Sequence, residues 1–291
     1  MDDKIPRRTF LMAAPAAVGA LAHAVRGDDD AAQRLLGGGR PAPPGVAEAS
    51  AAGYPIRPTP YSAVKVRDEF WRPKIARNAD VTIPFEVRKL AASRRGLDGG
   101  VLEGAILSLA VRPDPVLQAQ VDARVQAMAQ EPARWRGNSG YEIAATHYEV
   151  TGRRELLDRA IASAAALAEN FKLHDPPFSG GERDAINCLR LYGVTRDRRH
   201  LDLARHYLDI RGLPTSVGRS RHNQSYAPVL EQRDAVGHAV NCATLMVSLV
   251  DVGMLAGLGQ YVAAGQRMWQ DAAERKVYLT GGIGSSGNEG F

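Results

Sequence analysis

Cysteine is nearly absent from this chain, with only Cys188 and Cys242 in 291 residues. That scarcity argues against a disulfide-stapled framework, and two thiols so far apart lack the close spacing of a metal-binding pair. Each lies in an apolar helical pattern, so both are expected to be buried thiols and no metal site is assigned to them. Alternating β-branched strands are also nearly missing, which leaves little material for a sheet. No G-x-S-x-G elbow, H-E-x-x-H pair, P-loop or dinucleotide-binding glycine pattern occurs. Serine hydrolysis, phosphoryl transfer and hydride transfer lose support accordingly. The net charge of +5 is spread over alternating signs, as in Arg153-Arg154-Glu155 and Asp197-Arg198-Arg199. No basic stretch is interleaved with stacking aromatics, so solvated helix faces account for the charge and no nucleic acid is expected as a partner.

The apolar run near the N-terminus is short. The apolar segment Ala13–Ala22 is too short for the roughly 20 residues a membrane span needs. It follows Arg7-Arg8-Thr9-Phe10-Leu11 and precedes the small-residue site Ala22-His23-Ala24, the layout of a twin-arginine signal peptide. Residues 1–24 are therefore read as an export signal addressed to the twin-arginine machinery, giving a periplasmic or extracellular protein with no stable membrane anchor. Residues 25–60, rich in Ala, Gly, Pro and Asp, read as a disordered linker. The folded part is placed at 61–291.

What is present is helical periodicity from about Pro84 onward. Val101, Leu102, Ala105, Ile106, Leu109 and Ala110 share one face, and Val116, Leu117, Val121, Val125 and Met128 another, with Arg112-Pro113-Asp114-Pro115 as the turn between them. The stretch Tyr148–Ala160 resembles Tyr192–Ala204. In both, a helix ends in a threonine-containing polar turn and a new helix opens with leucine and aspartate. A looser copy spans Asp251–Val262. Helical hairpins repeating roughly every 40 to 60 residues cannot bury their apolar faces alone and must stack. The irregular spacing favours closure into an all-α toroid over an open solenoid, with the connecting loops gathered around a cleft.

Several side chains are candidates for chemistry. Glu289 is the only glutamate in the terminal glycine-rich loop 281–291; it reads either as a carboxylic acid able to protonate a leaving group or as a solvated loop residue. His238, after Gly237 and at the start of an apolar helix, reads either as a ligand for a sugar hydroxyl or as a capped core histidine. Trp135, in the polar loop Arg134–Gly140, is the tryptophan best placed to stack on a sugar ring, whereas Trp269 fits core packing better. Ser139 precedes the next helix. Glu142 and His147 lie on it, Glu142 either pointing inward or accompanying the helix N-terminus.

Four stretches together resemble glycoside hydrolase family 127, the β-L-arabinofuranosidase-like group: Val66–Pro73 with Asn78 and Thr82-Ile83-Pro84; Val101-Leu102-Glu103 with Pro113-Asp114-Pro115 and Asp122; Glu231-Gln232 through Gly237-His238-Ala239-Val240; and Lys276–Ser285 with Glu289-Gly290-Phe291. The resemblance runs from about Tyr61 to Phe291. It implies an (α/α)6 barrel followed by β-sandwich domains, and retaining hydrolysis of L-arabinofuranosides or related glycans, so a carbohydrate is the implied partner. By position it assigns Glu289 as general acid/base and His238 as a sugar contact; Trp135, Ser139 and Glu142 remain substrate-binding candidates on their own placement in the sequence, not by the resemblance. The family's nucleophile is a zinc-bound cysteine whose region follows the glycine-rich loop, so the resemblance implies zinc with ligands beyond Phe291. Cys188 and Cys242 do not match those positions. Asn138-Ser139 and Gly180-Gly181 stand where many members carry histidines, and Asn241 where an arginine is common, which implies an altered substrate or binding mode.

On this reading the chain is the N-terminal part of the catalytic barrel, expected to be inactive alone and to leave apolar helix faces uncovered. A non-catalytic glycan-binding or scaffold protein on the same helices is the alternative.

Overall fold

The computed structural model describes residues 59, 63–91, 99–131, 135, 140–173, 181–216, 218–285 and 290–291. The export signal and almost all of the linker, together with Ser139 and Glu289, lie outside the described residues. Every element among the described residues is helical: α1 (Trp71–Arg77), a π-helical turn (Asn78–Thr82), α2 (Ile83–Ala91), α3 (Gly99–Val111), α4 (Pro115–Ala129), α5 (Tyr141–Thr151), α6 (Glu155–Leu173), α7 (Asp184–Thr195), α8 (Arg198–Asp209), α9 (Ala239–Ala256) and α10 (Gly259–Arg275). Asp68 starts α1 by accepting bonds from the N–H groups of Phe70 (3.0 Å) and Trp71 (2.6 Å). Pro84 has no N–H to return to the preceding turn, and just before it the backbone widens so that the Ile83 N–H reaches the carbonyl of Asn78.

The hairpins stack in two layers. Helices α3, α5, α7 and α9 pack side by side in sequence, while α4, α6, α8 and α10 each lie against the helix that precedes them. The layers differ in composition for a physical reason. Helices α8 and α10 carry a polar face toward solvent. Helix α9 has almost none, and is long and apolar enough to cross a membrane by composition, yet here it packs against α7, α8 and α10. The core runs through both layers, with Leu102, Ile106, Met128, Tyr141, Leu156, Leu157, Leu191, Leu201, Leu245, Leu249 and Tyr261 fully buried. Each contributes about 1.5–3 kcal/mol by leaving water.

Two details of the helix faces correct the periodicity reading. Leu117, Val121, Val125 and Met128 are buried as expected, but Val116 is exposed in the first turn of α4. On α10 the buried set is Tyr261, Ala264, Gly265, Met268 and Ala272. Trp269, about 100° further around the helix from Met268, points outward and is more than half exposed. Uncovered apolar surface also appears on α9, where Val240 and Val247 lie two turns apart and exposed.

The repeat seen in the sequence is a repeat of hydrogen bonds. Helix α5 ends at Gly152 in the left-handed region, whose N–H returns to the Tyr148 carbonyl; α7 ends at Arg196, also left-handed, whose N–H returns to Tyr192. Thr151 Oγ1 donates to the His147 carbonyl (2.6 Å) and accepts from Arg153 N (3.1 Å). Thr195 Oγ1 donates to Leu191 (2.8 Å) and accepts from Asp197 N (3.3 Å). Helix α9 closes with left-handed Gly257 returning to Gly253. Asp114, with Pro115 in the first turn, caps α4 through Val116 N and Leu117 N at 2.9 and 3.1 Å. Short turns therefore occupy one end of the two-layer arc, at the C-termini of α3, α5, α7 and α9. The long connection between α8 and α9 lies at the other end.

Candidate functional site

The loop end is organised around the start of α9. His238 is the N-cap: its backbone is extended, its carbonyl accepts from Cys242 N at 2.9 Å, and its Nδ1 accepts a long bond of 3.4 Å from Asn241 N. Its ring is half-buried and meets His222 edge to face, with centroids 5.7 Å apart. His238 N donates to the His222 carbonyl at 2.9 Å. Gly237 makes this approach feasible: its φ is +73°, and a Cβ there would stand 2.1 Å from the Arg221 carbonyl oxygen and 2.4 Å from that of His222. On its other side the segment receives the glycine-rich loop. His238 pairs with Gly290 in an antiparallel bridge, Phe291 N donates to the Gly237 carbonyl at 2.9 Å, and Ser285 N donates to Gly290 at 2.7 Å. Three stretches distant in sequence, 221–222, 237–238 and 290–291, thus meet at one helix start.

Buried polar side chains hold them there. Arg211, 2% exposed, donates to the carbonyls of Asn223 and Gly181, each at 2.7 Å. Burial lowers its pKa, and the nearby carboxylates of Glu182 and Asp184 oppose that. Gln224, itself left-handed, donates to the carbonyls of His222 (2.9 Å) and Val236 (2.7 Å), and Gln232 to those of Gln224 (2.8 Å) and Ala227 (2.7 Å). Asp271 accepts from Ala235 N at 2.8 Å and pairs with Lys276, which also donates to the Ala235 carbonyl at 2.5 Å and stands 5.5 Å from the Phe291 ring centre. Burial opposes the charge of Asp271, yet Lys276, the Ala235 N–H and Arg275 together hold its carboxyl below the usual carboxylate range. Periodicity gave no sign of Arg211, Gln224 or Asp271; a buried arginine or amide in a coil has no pattern of its own.

The other sequence candidates are placed as follows. Glu142 sits in the first turn of α5, half-buried, and pairs with Arg183 at the start of α7 (2.6 Å). Trp135 is half-buried against the core, and its Nε1 donates to the Met128 carbonyl at 3.1 Å, which ties it to the end of α4. One turn further along the inner helices, Thr146 Oγ1 donates to Glu103 (2.6 Å) and accepts from Arg190 (3.2 Å), which also reaches Glu149 (3.0 Å). A polar ladder therefore crosses α3, α5 and α7. Cys188 and Cys242 are buried and not joined in a disulfide, and burial pushes the Cys242 thiol up to about 11. No group of three metal-binding side chains occurs among the described residues, so these residues do not fit a zinc ion.

With this geometry in place, comparison with known proteins is specific. Residues 135–291 match the family described as β-L-arabinofuranosidase, GH127 catalytic domain. A non-reducing end β-L-arabinofuranosidase from Bifidobacterium longum subsp. longum is 25% identical, over 64% of this chain and 36% of its own length. A GH127 β-arabinofuranosidase structure superimposes with a TM-score of 0.68 and 27% identity, over 82% of this chain and 47% of its own. A GH127 β-L-arabinofuranosidase from Geobacillus stearothermophilus T6 shares the fold at a TM-score of 0.63 and 22% identity, over 78% of this chain and 48% of its own. The chain thus spans between about a third and a half of the length of these relatives.

Proposed function

The chain belongs to the GH127 β-L-arabinofuranosidase catalytic-domain family, and from that membership we propose that it serves the retaining hydrolysis of L-arabinofuranosides or related glycans. One observation carries the reading: the bridge between His238 and Gly290 joins the glycine-rich loop to the histidine at the start of α9. Glu289, the sequence neighbour of Gly290, is the proposed acid/base. It hands a proton to the departing glycosidic oxygen, then takes one from the water that releases the sugar. His238 is the proposed contact to a sugar hydroxyl, with Glu142 and Ser139 as further substrate-binding candidates. The all-α layers of helical hairpins, a fold shared with the GH127 structure, support these loops.

The test uses the chain with a 4-nitrophenyl β-L-arabinofuranoside. Saturable binding weakened about tenfold by His238→Ala is the expected result for the chain, and in a protein that also carries the nucleophile region Glu289→Gln should reduce hydrolysis on the order of 100-fold or more. No saturable binding of any arabinofuranoside, or binding indifferent to His238, would overturn the proposal. Export through the twin-arginine pathway is proposed on Arg7-Arg8 and the Ala22-His23-Ala24 site. Replacing both arginines by lysine should retain the protein in the cytoplasm, as cell fractionation would show.

A further inference from the structure

The segment 236–238 is held from two sides. On one side it receives the glycine-rich loop, through the His238–Gly290 bridge and the bond from Phe291 N to the Gly237 carbonyl. On the other it meets the turn 220–225, which is closed by its own bonds. Ser225 N donates to the Ser220 carbonyl at 3.0 Å, Gln224 N to the Arg221 carbonyl at 3.3 Å, and Asn223 Oδ1 accepts from Ser220 Oγ (3.1 Å) and Ser225 N (3.2 Å). Two side chains of this turn reach across to the segment. His222, exposed, sets its ring against that of His238, while Gln224 is fully buried.

Gln224 Nε2 meets three carbonyls: those of Val236 (2.7 Å), His222 (2.9 Å) and, in a longer contact of 3.4 Å, His238. Its Oε1 is buried and accepts no hydrogen bond among the described residues, so the side chain acts as a donor alone. Turning the amide over would set oxygen against three carbonyl oxygens. A buried acceptor without a partner is costly, and the backbone here is left-handed as well, at φ +53°. The fold accepts both at the one residue whose side chain spans the turn and the start of α9. Gln232, also buried, backs it by donating to the Gln224 carbonyl at 2.8 Å.

We infer that Gln224 is a positioning residue of the proposed site. By bonding the carbonyls on both sides of the junction between the turn and the segment, it fixes where the His238 ring stands and where the edge that receives Gly290 lies. This rests on the proposed glycan function, in which His238 is the sugar contact.

Coupling to His238 is the test. 4-Nitrophenyl β-L-arabinofuranoside is titrated calorimetrically into the parent chain, Gln224→Met, His238→Ala and the double variant, each checked for folding by circular dichroism. Methionine keeps the length of the side chain and donates nothing. Gln224→Met should weaken binding about fivefold or more, and in that background His238→Ala should change it by less than about twofold, because the ring is already displaced. A residue that only stabilised the fold would leave the affinity of the folded chain, and the full effect of His238→Ala, unchanged; that result overturns the inference while the glycan reading stands. If His238→Ala changes nothing in the parent chain, the glycan reading itself fails and the inference falls with it. Should Gln224→Met not fold, Gln232→Met replaces it. Acting one step further back, it should weaken binding about threefold and shrink the effect of His238→Ala to below about fivefold; strictly additive effects would overturn the inference.

Discussion

The two ends of the helical arc are built differently. Where α5 and α7 finish, the chain turns within residues 152–154 and 196–197, and each turn is closed by a left-handed residue and a threonine bonded to its own neighbours. At the opposite end, residues 210–238 separate α8 from α9 and are held by Arg211, Gln224, Gln232, Asp271 and Lys276, several of them reaching far along the sequence. The first end is local and self-contained; the second depends on buried polar groups meeting across the fold. Local turns lose little when one contact goes. A network of buried donors leaves carbonyls unsatisfied when any member is removed.

The largest expected effect sets two left-handed glycines against each other. Gly237→Ala should cost on the order of 3 kcal/mol or more, because strain at positive φ is joined by a collision with backbone oxygens. Gly152→Ala, at a nearly identical φ of +72° but with open space around it, should cost only about 1 kcal/mol. Urea unfolding of the two variants measures the difference; equal costs would erase the distinction between the ends. Next, Arg211→Met should destabilise by about 2–3 kcal/mol, since two carbonyls lose a charged donor. Hydrogen exchange should then rise in 211–238 and not in the 152–154 turn.

Acid should separate the ends as well. Burial lowers the pKa of His147 and of His200, both near the short turns. The fold favours their neutral forms. Their contribution is therefore complete above the unfolded value of about 6.5 and is lost as pH falls below it, by up to about 1.4 kcal/mol per pH unit for each. Asp271, whose pKa is also lowered, contributes above its unfolded value of about 3.9 and is lost only as pH falls through its depressed folded value. Denaturant titrations from pH 7.5 to 3 should show two losses, the upper flattened by His147→Leu with His200→Gln and the lower by Asp271→Asn. The smallest effect, about 1 kcal/mol, is expected for Asp114→Ala, which removes the cap of α4. Thermal unfolding would register it as a shift of a few degrees.

How much was legible follows the same division. The paired stretches Tyr148–Ala160 and Tyr192–Ala204 carry their hydrogen bonds within a few residues, so the repeat could be read directly as hairpins and extended to an all-α ring. His238 and the glycine-rich loop stood out by composition, and the fold joins them through the Gly290 bridge. Trp135 looked like a cleft residue because its loop is polar, yet the indole N–H is taken by the end of α4. Trp269 looked like core, and one residue of helical rotation put it outside.

The sequence by itself determined the elements that close locally: the helices, their caps, the short turns and the order in which hairpins follow one another. Tertiary structure alone decided that Gly237 must lie against 221–222, that Arg211 spans the loops, and that His147 is buried with neither ring nitrogen bonded. The physical reason is range. Caps and turns are settled by bonds between near neighbours, whereas a buried polar group takes its role from whatever the packed fold brings, or fails to bring, within about 3 Å.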